Sequence, residues 1–297
     1  MTVPKTDDRQ PKTGFFRQIG IILEMIKIEH TVFALPFAFM GALLGARGLP
    51  SPSQALWILV AMVGARSSAM AFNRLADAHY DALNPRTQER ALPAGLVTPG
   101  ATKVFVGASA LIFFIAAGQL NRLALLLSPL ALGWVLLYSY TKRFTWGSHL
   151  VLGGALGIAP TAGWIAVRGE LGAVPLVLSA AVLLWVAGFD ILYALQDEAF
   201  DRQVGLHSIP CRFGPAWALR LARLCHLGAA LGFLLVGRLA GLGLLYSAAA
   251  ILTAALLAVE HCLVSPRDLS RLNQAFFTVN GVIGIVLGLA TLFSLWP

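Results

Sequence analysis

Charge is scarce in this chain. Only 12% of its 297 residues are Asp, Glu, Lys or Arg, against about a quarter in soluble globular proteins. Together with 58% hydrophobic residues and a mean hydropathy of +0.76, that shortage excludes a water-soluble domain. The chain reads as an integral membrane protein. Long polar stretches are also missing, so no extramembrane domain is expected. No concentrated basic patch exists either: the net charge of +8 comes from Lys and Arg spread over short loops, which argues against nucleic acid as a partner. Cysteine is limited to Cys211, Cys225 and Cys262, an odd number without metal-site spacing, and these read as small apolar fillers.

What is present is a succession of apolar runs. A transmembrane helix needs about 20 apolar residues. By that measure the sequence predicts an all-α polytopic bundle of nine transmembrane helices, near 21–46, 54–80, 100–118, 121–141, 148–168, 173–199, 215–237, 241–263 and 272–294. Residues 1–18 form a polar tail, and 19–297 a single transmembrane domain. The first apolar run continues past signal-peptide length, so it is expected to be a retained span.

Lys and Arg set the orientation. With the N-terminus cytoplasmic, that side receives Lys5, Arg9, Lys12, Arg17, Arg86, Arg90, Lys142, Arg143, Arg202 and several more. The opposite side receives Arg47, Arg122, Arg168 and Arg238. This assignment puts the inner ends of the second and sixth spans, and any site there, on the cytoplasmic side.

Those two ends carry the few acids that matter. Asn73, Asp77 and Asp81 stand four residues apart, and so do Tyr193, Asp197 and Asp201. On a helix that spacing lines one stripe. Carboxylates beside a membrane core are costly unless they are paired or bind cations, and topology does not call for them there. Facing each other, the two stripes would form an oxygen cage for hard divalent cations. Mg²⁺ takes a few carboxylates together with substrate phosphate oxygens, and Asn73 would add a neutral ligand. Arg86, Arg90, Lys142, Arg143 and Arg202 are suited to the remaining phosphate oxygens. The positive-inside rule explains each of them singly just as well. Arg66, inside the second span on the face of Asp77, reads as a guanidinium turned to the site. Asp190, seven residues before Asp197 and so roughly on the same face, reads either as a support behind the ligands or as part of the acceptor side. Glu29 and His30 interrupt the first span, either as a structural pair with an Arg or as a substrate contact. The tryptophans Trp57, Trp134, Trp146, Trp164, Trp185 and Trp217 read as interface anchors or packing.

An acid cage at the membrane surface, opening onto an apolar bundle, suits a substrate with a diphosphate head and a greasy tail. A polyprenyl diphosphate is of that kind. Cation-stabilised departure of diphosphate would leave an allylic cation, which an electron-rich ring would capture.

The sequence resembles the UbiA superfamily of intramembrane aromatic prenyltransferases. The NxxxDxxxD motif is matched at Asn73, Asp77 and Asp81, and DxxxD at Asp197 and Asp201 with Tyr193 one turn before. The loop Asn84-Pro85-Arg86-Thr87-Gln88-Glu89-Arg90 through Gly95, and the run from Gly205 to Pro210, are similar to the segments that follow these motifs. The likeness covers nearly the whole chain and is nearest to bacterial 4-hydroxybenzoate polyprenyltransferases. It implies nine helices around a central cavity, Mg²⁺ dependence and prenyl transfer in quinone biosynthesis at the bacterial inner membrane. Its implied partners are a polyprenyl diphosphate, a small aromatic acid and membrane lipids. Residue by residue, Asn73, Asp77, Asp81, Asp197 and Asp201 become Mg²⁺–diphosphate ligands. Arg66, Lys142 and Arg143 become diphosphate or acceptor-carboxylate contacts, and Tyr193 a residue that polarises the site or shields the cation. Ala78 departs from the pattern, since many relatives carry a basic residue after the first Asp. A naphthoate acceptor, as in menaquinone synthesis, is the alternative within the enzyme class. A transporter or lipid-binding protein is the alternative outside it.

Overall fold

The computed structural model describes residues 15–25, 31–265, 271–272 and 278–296. Their regular structure is helical. α1 (Phe15–Met25) precedes α2 (Thr31–Ala46), α3 (Pro52–Leu83), α4 (Pro99–Leu120), α5 (Arg122–Thr141), α6 (Ser148–Arg168) and α7 (Ala173–Tyr193). A 3-10 turn (Ala194–Asp197), α8 (Glu198–Val204), α9 (Ile209–Phe213), α10 (Pro215–Ala240), α11 (Gly243–Leu263) and α12 (Asn280–Ser294) follow. Seven stretches are long and apolar enough to cross a membrane: α3, α4, α5, α6, α7 continued through α8, α10 and α11. Two shorter apolar helices, Ala34–Ala46 within α2 and all of α12, accompany them. In lipid every backbone polar group must be satisfied within the segment, so runs of this composition form helices. The breaks are chemically marked. Ser51 caps α3 with a reciprocal bond to Gln54, and Pro52 opens the helix.

The structure departs from the expected first span. The run 21–46 is not one described helix, because α1 ends at Met25 and α2 begins at Thr31. α1 lies against the start of α4, with Ile22 buried beside Ala71 and Val97. The Gln18 Oε1 atom accepts from the Thr98 amide at 3.4 Å and its hydroxyl at 3.3 Å. Apolar composition alone does not separate a helix that crosses from one that lies along a neighbour with one face buried. Glu29 and His30 lie outside the described residues.

The bundle has a solid half and a hollow half. In the solid half α2, α7, α10, α11 and α12 share a core around Trp185, with Phe37, Phe233, Tyr246, Ile283 and Leu287 fully buried. Trp185 Nε1 donates to Asn280 Oδ1 at 2.7 Å, and Asn280 Nδ2 donates to Glu260 Oε1 at 3.0 Å. The network ties α7, α11 and α12 together, with Glu260 Oε2 buried 3.9 Å from His226 Nδ1. The hollow half is walled chiefly by α3, α5, α6 and α7.

Close backbone approach holds α6 in place. A Cβ at Gly163 would run into the Ala38 carbonyl of α2, and a Cβ at Gly41 into the Pro160 carbonyl of α6. On its other side, Gly153 and Gly157 face the Leu183 and Ser179 carbonyls of α7. Small residues that let helix backbones approach are the usual means of association in lipid. Gly163→Val is expected to cost about 3 kcal/mol, the upper end for overpacking, because the obstacle is backbone. Gly107→Ala, where nothing stands within 4 Å, should not lower stability. Thermal unfolding of the two purified variants in detergent checks this, and equal melting temperatures would refute it.

Candidate active site

α3 delivers the first cluster to the end of the bundle. At 1.5 Å per residue, Asn73 lies about 32 Å along the helix from Pro52, where a ~30 Å hydrocarbon core ends. Asn73, Asp77 and Asp81 keep the helical stripe. Asn73 Nδ2 donates to Asp77 Oδ2 at 3.0 Å and to Ser139 Oγ at 3.4 Å. The second cluster is built differently from the expected stripe. The chain tightens into a 3-10 turn at Ala194–Asp197 before α8 resumes. Three residues per turn do not stack positions four apart, so Tyr193, Asp197 and Asp201 do not form one α-helical row. All three nevertheless line the same pocket as the first cluster, and they do so from the facing element.

That pocket, of ≈ 190 Å³, brings together Asn73, Asp77, Asp81, Arg86, Arg90, Lys142, Arg143, Asp190, Tyr193, Asp197 and Asp201. The loop after α3 supplies its cations. Arg86 grips Asp197 with two bonds, Nε to Oδ1 at 3.0 Å and Nη2 to Oδ2 at 2.7 Å. Arg90 Nη1 donates to both oxygens of Asp81, at 2.8 and 2.9 Å. Asn84 adds a 3.4 Å contact to Asp197, and Thr87 donates to the Asp81 carbonyl. From the turn just after α5, Arg143 stands 3.9 Å from Asp77 and over the rings of Tyr80 and Tyr140. Lys142 feels burial that would lower its pKa, but Tyr138 and the carboxylates of Asp190, Asp201 and Asp197 raise it above the ordinary lysine value. It therefore stays charged at neutral pH. The segment after α8 closes the rim, where Gly205 adopts φ +74° and the His207 amide donates to the Lys142 carbonyl at 2.7 Å.

A second space of ≈ 1390 Å³ adjoins the first. Its walls are mainly Ala, Leu, Ile and Met, and Arg66 reaches it from α3. Asn73, Arg74, Arg86, Arg90, Tyr138, Asp190 and Tyr193 line both spaces and so mark their junction. Arg202 is the exception among the predicted residues. It lines neither space and instead donates to Glu198 at 2.9 Å and to the Cys211 carbonyl at 3.3 Å, where it is exposed. Acid four residues earlier on the same short helix draws it away. Sequence reasoning missed Tyr138, Ser139, Asn84 and His149. The first two lie four and three residues before Lys142, on its helical face.

Among the described residues, no three His, Cys, Asp or Glu side chains stand close enough to hold a cation by themselves. The donor set is nonetheless all oxygen, and Asp201 Oδ2 is buried without a hydrogen-bond partner. Such a set fits Mg²⁺, which relies on few carboxylates and completes its shell with water and phosphate.

Fold and site together define a multi-pass membrane protein with a charged pocket opening into a large apolar chamber. The UbiA prenyltransferase family pattern matches residues 34–282. The chain belongs to that family. It is 32% identical over 247 residues to the 4-hydroxybenzoate octaprenyltransferase of Salmonella paratyphi B, spanning 81% of this chain and 84% of that protein. Among solved structures, an apo UbiA homologue from Aeropyrum pernix is 38% identical, with a TM-score of 0.82 over 89% of this chain and 97% of that one. A UbiA homologue from Archaeoglobus fulgidus bound to GPP and Mg²⁺ shares the fold at 19% identity, with a TM-score of 0.71 over 92% and 99%.

The ion pairs differ in worth. Arg90→Ala leaves the buried Asp81 carboxylate unpaired and should cost about 2 kcal/mol, less than a fully buried pair because Arg90 is partly exposed. Arg202→Ala should cost under ~1 kcal/mol. Denaturation of both variants without Mg²⁺ or diphosphate tests the ranking, and adding Asp81→Asn to Arg90→Ala should recover most of the loss.

Proposed function

We propose that this protein transfers a polyprenyl group from a polyprenyl diphosphate to a small aromatic acid, with 4-hydroxybenzoate the favoured acceptor. The observation that carries the reading is the junction of two spaces of opposite character, one charged and one apolar. The identity to enzymes named for 4-hydroxybenzoate supports the acceptor. A naphthoate remains the second candidate, since the same ring chemistry and carboxylate would meet the same site.

Asp77, Asp81, Asp197, Asp201 and Asn73 would hold Mg²⁺ together with the substrate's phosphate oxygens. When bound, Mg²⁺ supplies positive charge against the departing diphosphate. Arg86, Arg90, Lys142 and Arg143 bind and orient the diphosphate head; the three arginines already stand beside an acid of the pocket, and Lys142 lines it with them. The prenyl tail lies in the apolar chamber. Tyr193, whose ring stands 5.9 Å from the Arg86 guanidinium, faces the junction and shields the allylic cation from water. Arg66 anchors the acceptor carboxylate and points the ring at that cation. In this reading residues 19–297 form one unit of nine spans, counting α2 and α12, with the N-terminus and the pocket on the cytoplasmic side of a bacterial inner membrane. The clustering of Lys and Arg supports this orientation.

Purified protein with Mg²⁺, geranyl diphosphate and 4-hydroxybenzoate is expected to give a prenylated benzoate by mass. Asp77→Asn or Asp197→Asn should lower kcat at least ~100-fold while the protein stays folded. Arg66→Gln should raise KM for the acceptor roughly 10- to 100-fold, the value of a charge-assisted hydrogen bond. Absence of product from folded wild-type protein, with benzoate or naphthoate, would overturn the reading.

A further inference from the structure

Alkylation of an aromatic ring does not end with the new C–C bond. The ring carbon that accepts the allylic cation still carries its hydrogen, and that proton must leave to restore aromaticity. A group that takes it must stand where the charged pocket meets the apolar chamber. Among the described residues, Asp190 is the single carboxylate that lines both spaces. Asp77, Asp81, Asp197 and Asp201 line only the charged pocket, and Glu24 and Glu89 only the chamber.

Asp190 is held by a residue outside both linings. His149, at the start of α6 and fully buried, places Nδ1 2.6 Å from Asp190 Oδ2. Its other nitrogen, Nε2, accepts the Ile209 amide hydrogen at 3.2 Å. An N–H donor on Nε2 requires that this nitrogen carry no proton, so the imidazole is neutral and Nδ1 bears the hydrogen. His149 therefore donates to Asp190 and cannot itself relay a proton through Nε2. The bond occupies Oδ2 and leaves Oδ1 for another partner.

We propose that Asp190 is the catalytic base that removes the ring proton, and that His149 is its positioning residue. This rests on the prenyl-transfer reading. In the step, the C1–O bond of the prenyl diphosphate breaks and its electron pair leaves with diphosphate. A ring π pair then forms the C–C bond beside the acceptor hydroxyl. Asp190 Oδ1 takes the hydrogen from that carbon as a proton, and the C–H pair restores the aromatic sextet. Asp190 afterwards returns the proton to water with product release. The hydrogen bond from a neutral imidazole fixes the orientation of the Asp190 carboxylate without cancelling its charge, as a base facing a cationic ring requires.

The test compares 4-hydroxybenzoate with the same acid deuterated at the ring carbons beside the hydroxyl. In wild type, proton removal is fast, and both acceptors are expected to turn over equally. Asp190→Asn should lower kcat by ~10²- to 10⁴-fold, the usual span for a general base, and should show a primary isotope effect. His149→Leu should lower kcat about tenfold or more with KM for the prenyl diphosphate unchanged, and should reveal the same effect. His149→Gln, whose amide can both accept from Ile209 and donate to Asp190, should restore most of the rate and abolish the effect. Melting temperatures of all three variants identify any that fail to fold, and the His149 pair then decides alone. Active variants without an isotope effect would overturn the proposal and assign the proton to the departing diphosphate. Wild type that prenylates no acceptor would instead sink the function from which this step follows.

Discussion

A carboxylate at the edge of a membrane needs a positive partner, and this structure is arranged around that need. Two acids on α3 and two around the break after α7 meet at one end of the bundle. Their partners come from the loop that follows α3, where Arg86 crosses to Asp197 of the opposite cluster and Arg90 folds back on Asp81. The loop is thus clamped to both halves of the pocket by charge. Under the proposed function a diphosphate would meet these same cations, so its recognition would use groups the fold already requires.

Distribution of packing divides the labour. The core around Trp185 is dense, and hydrogen bonds run through it from Trp185 to Asn280 and on to Glu260. The other half forgoes that density and encloses a chamber. Burial is the chief stabilising term in any fold, so a large void must be carried by compaction elsewhere. Here the compaction lies beside the void, on the far faces of α2, α6 and α7.

Much of this was legible in the residues. Apolar run lengths identified the membrane helices from α3 to α11, and the four-residue spacing of Asn73, Asp77 and Asp81 identified the stripe on α3. The second cluster shared that spacing but not that geometry, because no residue type between Tyr193 and Asp197 announces a 3-10 turn. Arg202 looked like its neighbours by charge alone, and only the nearer Glu198 shows why it turns away. α1 carried enough apolar residues to merge with the next helix on paper. His149 gave little sign, being one histidine at the head of an apolar run. Its role depends on Ile209, 60 residues later, and such a pairing is written in tertiary contact rather than in local pattern.

The glycines of α6 have one more effect. With Gly163 against α2, and Gly153 and Gly157 against α7, this helix works as a thin partition whose thickness is set by main chain. A partition of that kind offers no side chain to trim or enlarge on its seated faces. The chamber's shape is therefore set by side chains outside those seats, Met62, Met70, Leu127 and Val135 from α3 and α5 and Leu152, Ile158 and Ile165 from α6 itself. Flexible methionines on the α3 side, and a helix seated by main-chain contacts on the other, give the chamber one yielding wall and one held in position.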